Sequence, residues 1–251
     1  MEKITSRSNG LLVHMKKLAA SAAYRREQGV YLCDSPKLLA EALKWHAPVR
    51  EIAVTAGVPL PPLPETVRAV EIPEDVMSSI SPMKSPQGAL FTVTLPETAV
   101  PEALPGSRYM VLDGVQDPGN VGTILRTLDA FDFDGLLLLE GCADPWSVKT
   151  VRSSMGAVFR RPVWCLKAAQ LPGLLTRSSL PLYGTALRQD TEDVRAVPLD
   201  RCAIVIGSEG QGISDAVLAL CQKTVKIPMS QRCESLNAAI AATVLLWESY
   251  R

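Results

Sequence analysis

One glycine-rich loop of the sequence has the composition of a nucleotide-binding turn, Gly207-Ser208-Glu209-Gly210-Gln211-Gly212. Dinucleotide binding needs Gly-x-Gly-x-x-Gly, and a phosphate-binding P-loop ends in Gly-Lys-Ser/Thr, so the loop matches neither pattern. Glu209 also places a carboxylate where a phosphate would have to lie, and like charges at close range repel each other. The loop therefore disfavours NAD and ATP, and a tight glycine turn with a surface glutamate is the plain alternative.

A second group of polar residues opens the helix that should follow the strand Arg108–Leu112. Asn120 fits the N-cap of that helix, where its side-chain oxygen would accept a backbone N–H. Arg126 lies on the flank of the apolar stripe of the helix, near a helix start that should face the strand ends. The plain alternative is a capped turn with an Arg126–Asp129 ion pair, which contributes only about a few tenths of a kcal/mol.

The third segment, Ile-Pro-Met-Ser-Gln-Arg-Cys-Glu-Ser-Leu-Asn, runs from Ile227 to Asn237 and leads into an alanine-rich helix. Ser235 fits the N-cap of this helix, and the small residues after it allow close helix packing. Taken by itself, the segment needs no function beyond folding.

All three segments follow strands in a regular α/β alternation over the second half of the chain. Continuous apolar runs, typical of strands buried on both faces of a parallel sheet, predict strands at Arg108–Leu112, Leu136–Leu139, Val163–Leu166, Leu182–Thr185, Ala203–Ile206 and Thr224–Ile227. Helices are expected to begin near Asn120, Ser147, Ala168 and Ser214, with a last helix from Ser235 to about Tyr250. Such doubly wound sheets bind ligands at the carboxyl ends of their strands.

The combination of the three segments resembles the SpoU/TrmH family of RNA ribose methyltransferases, in the SPOUT superfamily. The family motifs are Asn-x-Gly-x-x-x-Arg, Gly-Ser-Glu-Gly-x-Gly, and Ile-Pro-Met followed by Glu-Ser-Leu-Asn. They are matched at Asn120, Gly122 and Arg126, at Gly207–Gly212, and at Ile227–Met229 with Glu234–Asn237. Ser154–Ala157 also looks typical of the family, whereas Gln231 stands where a glycine is common.

The resemblance implies methyl transfer from S-adenosyl-L-methionine to a ribose 2′-hydroxyl of RNA, most consistently ribosomal RNA. A ribose hydroxyl is a poor nucleophile near neutral pH, so it must be deprotonated or polarised as it attacks. In family members, the arginine that matches Arg126 is proposed to act on this hydroxyl. Arginine normally stays charged, so Arg126 is either a general base or a group that positions the hydroxyl and stabilises developing negative charge.

The resemblance also implies the remaining site residues. The candidate catalytic residues are Arg126, Asn120, Glu209, Ser235 and Asn237. The candidate cofactor-binding residues are Thr185, Gly207, Ile227 and Leu236. No metal is required, and the family fold implies a C-terminal trefoil knot and a homodimer formed through the C-terminal domain.

A proline-rich connector at 96–106 divides the chain into an RNA substrate-binding domain, 1–95, and a SPOUT methyltransferase domain, 107–251. The first domain resembles the small, ribosomal-protein-like α/β domain of the family, although Asp34-Ser35 replaces its usual Glu-Gly. Its first 26 residues carry six basic groups against Glu2. These could form a solvated helix face or a phosphate-contacting patch, and the candidate RNA-binding residues are Arg7, Lys16, Lys17, Arg25 and Arg26.

The composition of the chain disfavours several classes of protein. With 47% apolar residues and 26 basic against 26 acidic groups, the chain is neither disordered nor uniformly basic. Six scattered cysteines, two histidines and no apolar leader suggest an intracellular, cytoplasmic protein without disulfides or zinc, and its longest apolar run is too short to span a membrane. Three alternatives remain: a transfer-RNA 2′-O-methyltransferase, a non-catalytic RNA-binding protein on the same fold, and a nicotinamide-dependent enzyme, which the glycine spacing disfavours.

Overall fold

A computed structural model describes residues 1–97, 99–230, 232 and 235–251. The helices are α1 (Gly10–Ala20), α2 (Ala22–Gln28), α3 (Pro36–Lys44), α4 (Glu74–Ile80), α5 (Pro118–Ala130), α6 (Val148–Ser153), α7 (Leu171–Ser178), α8 (Asp215–Leu218) and α9 (Ala238–Tyr250). The strands are β1 (Glu2–Lys3), β2 (Val30–Asp34), β3 (Val49–Val54), β4 (Arg68–Glu71), β5 (Ala89–Thr94), β6 (Arg108–Asp113), β7 (Gly135–Leu139), β8 (Val163–Leu166), β9 (Leu182–Thr185), β10 (Glu192–Asp193), β11 (Cys202–Gly207) and β12 (Lys223–Lys226). None of these helices is long and apolar enough to cross a membrane.

The chain packs as two units, and the first comprises Met1–Glu97 together with Trp146–Phe159. Its sheet has the order β1-β4-β3-β5-β2, with β5 antiparallel to both of its neighbours. The segment Trp146–Phe159 belongs to this unit although it follows β7 in sequence. Arg152 forms an ion pair of 2.8 Å with buried Asp34, and the Trp146 ring lies 5.1 Å from that of Tyr31. The packing units therefore differ at this segment from the linear division 1–95, 96–106 and 107–251, which stays a prediction.

The second unit comprises 98–145 and Arg160–Arg251 and contains a parallel sheet. Its strand order over the described residues is β10-β12-β9-β11-β6-β7-β8. The interior strands β7 and β11 are buried along their whole length, which explains why their sequences are continuous apolar runs. The predicted parallel α/β fold is confirmed, and the trefoil knot stays a prediction.

One predicted helix is divided in the structure. The sequence predicts a single helix over Leu11–Gln28, but the backbone of Ser21 is extended (φ −128°, ψ 117°) and separates α1 from α2. The Ser21 hydroxyl oxygen accepts the Tyr24 amide at 3.2 Å and caps α2. The capping hydrogen bond therefore competes successfully with helix continuation in an alanine-rich run.

Candidate active site

Four strands of the second unit end side by side at one edge of the sheet. Gly207, the last residue of β11, pairs with Asp113, the last residue of β6. On the other side of β11, β9 ends at Thr185, which pairs with Val225 of β12. Because all of these strands are parallel, the three motif-bearing segments leave the sheet at the same edge, as predicted.

The first motif opens α5, and Asp117 caps this helix. The Asp117 carboxylate accepts the backbone N–H of Asn120 at 3.0 Å. The prediction that Asn120 is the N-cap is therefore wrong: Asn120 lies within the first turn, where its N–H is an orphan donor that the preceding Asp117 satisfies. This arrangement leaves the Asn120 side chain to make contacts outside its own helix.

The third motif opens α9, and here Asn237 is the N-cap. Its side-chain oxygen accepts the N–H groups of Ala239 at 2.9 Å and Ile240 at 3.3 Å. The prediction that Ser235 caps this helix is wrong, because the helix begins later, at Ala238. Ser235 lies two residues before the cap.

Three site residues form a chain of hydrogen bonds with a fixed direction, called here the amide relay (Asn237, Asn120 and Glu209). The Asn237 oxygen is occupied by the α9 donors, so its amide nitrogen donates to the Asn120 oxygen at 3.1 Å. The Asn120 nitrogen then donates to Oε1 of Glu209. Both amide orientations follow from the α9 cap, and the relay ends on a carboxylate oxygen that accepts.

A cavity of about 420 Å³ lies against the relay and is called the donor cavity. Glu209 and Ser235 contribute to its wall. The four candidate cofactor-binding residues line it as well: Thr185, Gly207, Ile227 and Leu236. The structure thus brings together these four residues and four of the five candidate catalytic residues.

The wall of the donor cavity fits S-adenosylmethionine. Apolar residues such as Ile206, Ile213 and Val225 offer a surface that suits an adenine ring. The Glu209 carboxylate favours a positively charged sulfonium. Gly207 has no room for a side chain, since a Cβ there would lie 1.9 Å from the carbonyl carbon of Gly212. The backbone of Gly207 therefore packs directly against that of Gly212, and both glycines line the donor cavity.

Arg126 is not part of this cluster within one chain. It is exposed on α5, and no hydrogen bond or ion pair engages it within the described part of the chain. The alternative of an Arg126–Asp129 pair is wrong, because Asp129 is held by Arg160 at 2.7 Å and by Arg161 at 2.8 Å. The guanidinium of Arg126 is thus available to a substrate.

Comparison with known proteins identifies the family. The model of the SpoU rRNA Methylase family matches residues 107–247. The chain is 31% identical to the 23S rRNA (guanosine(2553)-2′-O)-methyltransferase RlmP of Bacillus subtilis, over 98% of each protein. The chain belongs to the SpoU rRNA methylase family. The predictions of family membership and of an RNA methyltransferase are confirmed.

Solved SpoU structures agree over nearly the whole chain. The SpoU methyltransferase AviRb from Streptomyces viridochromogenes, in complex with AdoMet, has a TM-score of 0.84 at 25% identity, covering 96% of this chain and 97% of AviRb. An AdoMet-bound rRNA methyltransferase from Sinorhizobium meliloti has a TM-score of 0.85 at 25% identity, covering 99% of this chain and 97% of that protein. The likeness includes the first unit as well as the SpoU domain.

The candidate RNA-binding residues of this SpoU protein divide into two groups. Lys16, Lys17 and Arg26 are exposed, and Arg7 is exposed but paired with Asp75 at 2.7 Å. Arg25 is only 4% exposed and donates to the Leu18 carbonyl at 2.5 Å. Its assignment to a phosphate-contacting patch is therefore wrong: Arg25 ties α2 to the end of α1.

Sequence reasoning missed a second cavity of about 490 Å³ beside the donor cavity. It is lined by Ser208–Gly212 of the SpoU loop and by residues at and after the ends of β6 and β7, among them Asp113, Gln116 and Glu140. The sequence does contain one signal for this cavity: the acidic residues Asp113 and Glu140 stand at the ends of strands that are neighbours in the sheet. Gln231 and Glu234 of the third motif lie outside the described residues. Within the described ones, no cluster of side chains could hold a metal ion.

Proposed function

We propose that this SpoU-family enzyme transfers the methyl group of S-adenosylmethionine to the 2′-hydroxyl of a ribose in ribosomal RNA. Both AviRb and the Sinorhizobium meliloti enzyme bind AdoMet, and RlmP of Bacillus subtilis acts on 23S rRNA. The chain matches RlmP over 98% of its length, first unit included, which favours the ribosomal over the transfer-RNA class.

The observation that carries the proposal is the double role of Glu209. It contributes to the wall of the donor cavity and is also the terminal acceptor of the amide relay. A carboxylate held in this way can orient a ribose hydroxyl, or accept its proton, beside the methyl donor. The relay fixes the Glu209 side chain through Asn120 and Asn237 without using its second oxygen.

S-adenosylmethionine supplies an electrophilic methyl group, and the protein supplies position. The backbone at Gly207 and the apolar wall would hold the donor, and the Thr185 hydroxyl donates to the Val205 carbonyl at 3.0 Å. Ser235 and Glu209 present polar groups at the cavity wall. Exclusion of water on the apolar side of the cavity would strengthen the attraction between the Glu209 carboxylate and a bound sulfonium.

Two roles of Arg126 fit this arrangement. As a positioning group, its guanidinium holds the hydroxyl and a neighbouring phosphate and stabilises developing negative charge. As a base, it would need a deprotonated guanidinium, which water disfavours strongly. The exposed position of Arg126 favours the first role. Arg126→Lys should then lose most activity, because an ammonium cannot reproduce the guanidinium fork.

The proposal includes two partners. Lys16, Lys17 and Arg26 of the first unit would contact RNA phosphates. A second copy of the chain would cover the exposed face of α9, where Ile240 and Trp247 are each 52% exposed. Exposed aromatic and branched apolar residues in one helix are typical of an interface.

Labelled S-adenosylmethionine with unmodified ribosomal and transfer RNA, assayed separately, tests the proposal. A methylated 2′-oxygen cannot attack its phosphate, so alkali should spare one linkage in large-subunit ribosomal RNA. Arg126→Ala should abolish the label, and Arg195→Ala, an exposed arginine away from both cavities, should not. Label on transfer RNA alone would replace the proposed substrate, and absence of donor binding would overturn the reaction.

A further inference from the structure

The second cavity adjoins the donor cavity through a shared wall. Both are lined by the loop residues Ser208, Glu209, Gln211 and Gly212. A group in the second cavity would therefore be separated from a donor in the first cavity by this loop alone. With a volume of about 490 Å³, the cavity can accommodate a nucleobase.

The lining of the second cavity favours a group that donates hydrogen bonds and carries no negative charge. Carboxylates of Asp113, Glu140 and Glu209 and the amides of Gln116 and Gln211 contribute to it. Neither lysine nor arginine is found among its described lining residues, so the cavity does not suit a phosphate. An ionised carboxylate only accepts, so the matching ligand must present N–H groups.

Glu140 is the carboxylate that remains available. Asp113 accepts the Ser214 amide at 2.7 Å, and Glu209 accepts from Asn120. Glu140 is exposed at the end of β7, and within the described part of the chain no hydrogen bond or ion pair engages it. Both of its oxygens can therefore accept from a ligand.

Next to Glu140, the wall of the second cavity includes two glycines, Gly141 and Gly114. Gly141 follows Glu140 directly, and a Cβ placed on it would lie 3.6 Å from the Cα of Gly114. Both glycines have left-handed backbone conformations, with φ of 87° and 70°. The two turns thus lie against each other without side chains, which leaves a surface for a planar base.

We propose that the second cavity binds the base of the target nucleotide and that Glu140 selects guanine. This inference rests on the proposed function. The Watson–Crick edge of guanine presents two adjacent donors, N1–H and the N2 amino group, which match the two oxygens of one carboxylate. Adenine, cytosine and uracil each place an acceptor next to their donor. The Gln116 amide can donate to the guanine O6 acceptor.

The test begins with the nucleotide that wild-type enzyme methylates in large-subunit ribosomal RNA. We expect 2′-O-methylguanosine after nuclease digestion. Transcripts carrying guanosine, inosine or adenosine at that position are then compared. Because inosine differs from guanosine only by lacking the N2 amino group, this pair measures the contribution of the hydrogen bond from that group. Inosine should lower kcat/KM of the wild type about tenfold through the lost hydrogen bond to a charged group.

Glu140→Gln replaces one accepting oxygen with a donor. It should lower kcat/KM for guanosine about tenfold or more and bring guanosine and inosine within about threefold of each other. The Kd for S-adenosylmethionine should not change. Glu102→Gln makes the same chemical change on an exposed residue that lines neither cavity, and it should behave as wild type.

Methylation of a nucleotide other than guanosine, or an unchanged guanosine-to-inosine ratio in Glu140→Gln, overturns the inference and leaves the proposed function intact. Absence of label on ribosomal RNA overturns the proposed function instead. In that case saturation-transfer NMR with free nucleosides decides the inference. Guanosine must bind the wild type more strongly than inosine does, and Glu140→Gln must remove the difference.

Discussion

At the scale of single side chains, the amide relay depends on Asn120 being an amide. Asn120→Asp keeps the shape but removes the donor to Glu209 and sets two carboxylates against each other. Because the backbone of Asn120 is held by Asp117, the fold should be retained. We expect kcat to fall about 100-fold, as for other preorganised donors, with little change in the Kd for S-adenosylmethionine.

Steady-state kinetics measures kcat of Asn120→Asp, and titration with S-adenosylmethionine measures its Kd for the donor. Gln189→Glu, an amide-to-carboxylate change on an exposed loop residue, serves as the control and should leave kcat unchanged. If Asn120→Asp retains kcat within about threefold, the relay contributes nothing to turnover.

The buried Arg25 and the exposed Lys16 should respond differently to removal. Arg25→Ala leaves the Leu18 carbonyl without its charged donor and should lower the free energy of unfolding by about 2 kcal/mol. Lys16→Ala should leave stability unchanged and reduce the slope of log affinity for RNA against log salt by about 0.7 to 0.9. Urea unfolding and RNA binding at several salt concentrations measure both effects. A stability loss for Lys16→Ala, or none for Arg25→Ala, would reverse the two assignments.

Resemblance to the family motifs names candidate site residues but does not determine all of their local roles. Asn120, Glu209 and Asn237 match positions of the family motifs, the structure brings their side chains together, and their catalytic roles stay a prediction. The sequence favours Asn120 and Ser235 as helix caps, whereas Asp117 and Asn237 are the caps in the structure. All four residues are plausible caps in sequence, and only the position of the helix start decides among them. Burial of Arg25 could not be foreseen either, since a basic run has the same composition whether its side chains are solvated or not.

At the scale of elements, two glycines of the SpoU loop should differ sharply on substitution. Gly207→Ala places a Cβ 1.9 Å from backbone, so the loop must deform. We expect the free energy of unfolding to fall by at least about 2 kcal/mol, which lowers Tm, and binding of S-adenosylmethionine to be lost.

Gly210→Ala is the matched control, because a Cβ there meets nothing within 4 Å. It should change stability by less than about 0.5 kcal/mol. Differential scanning fluorimetry with and without S-adenosylmethionine compares the pair. Equal behaviour of the two variants would contradict the close packing of the loop.

The contact between β2 and α6 should make stability depend on pH. Burial raises the pKa of Asp34, and the charge and hydrogen bond of Arg152 offset this only in part. A raised pKa in the folded state means that the protonated carboxyl is favoured there. The contribution of Asp34 is thus fully present below its unfolded pKa and is lost as pH rises through the folded value.

Asp34→Asn has no such titration. The unfolding free energy of the wild type should therefore fall relative to that of Asp34→Asn as pH rises from about 4 to about 7. Urea unfolding followed by circular dichroism at several pH values measures the difference. Parallel curves would show that Asp34 does not titrate differently in the folded protein.

Strands of the second unit could be located from sequence to within a residue or two, because apolar runs buried on both faces are distinctive. The short strands β1 and β10 could not be predicted from the sequence, because a strand of two residues shows no periodicity. The packing of Trp146–Phe159 with the first unit depends on the distant Asp34–Arg152 and Tyr31–Trp146 contacts. Periodicity is local and carries no information on such pairs.

At the scale of the whole molecule, the exposed face of α9 should hold two copies together. Trp247→Glu places a charge on that face and should convert a dimer into monomers in sedimentation equilibrium. Trp45→Glu, at a tryptophan of similar exposure in the first unit, should leave the dimer intact. A wild-type monomer, or a Trp247→Glu dimer, would place the interface elsewhere or remove it.

The amide relay joins residues that are far apart along the chain. Glu209 follows Asn120 by 89 residues, and Asn237 follows it by 117. Contacts of such long range form late in folding, after the loop-closure entropy between them has been overcome. During translation, the relay cannot close until α9 has left the ribosome and packed against α5. We therefore expect a nascent chain of this methyltransferase to remain inactive until α9 has been synthesised and has packed against α5.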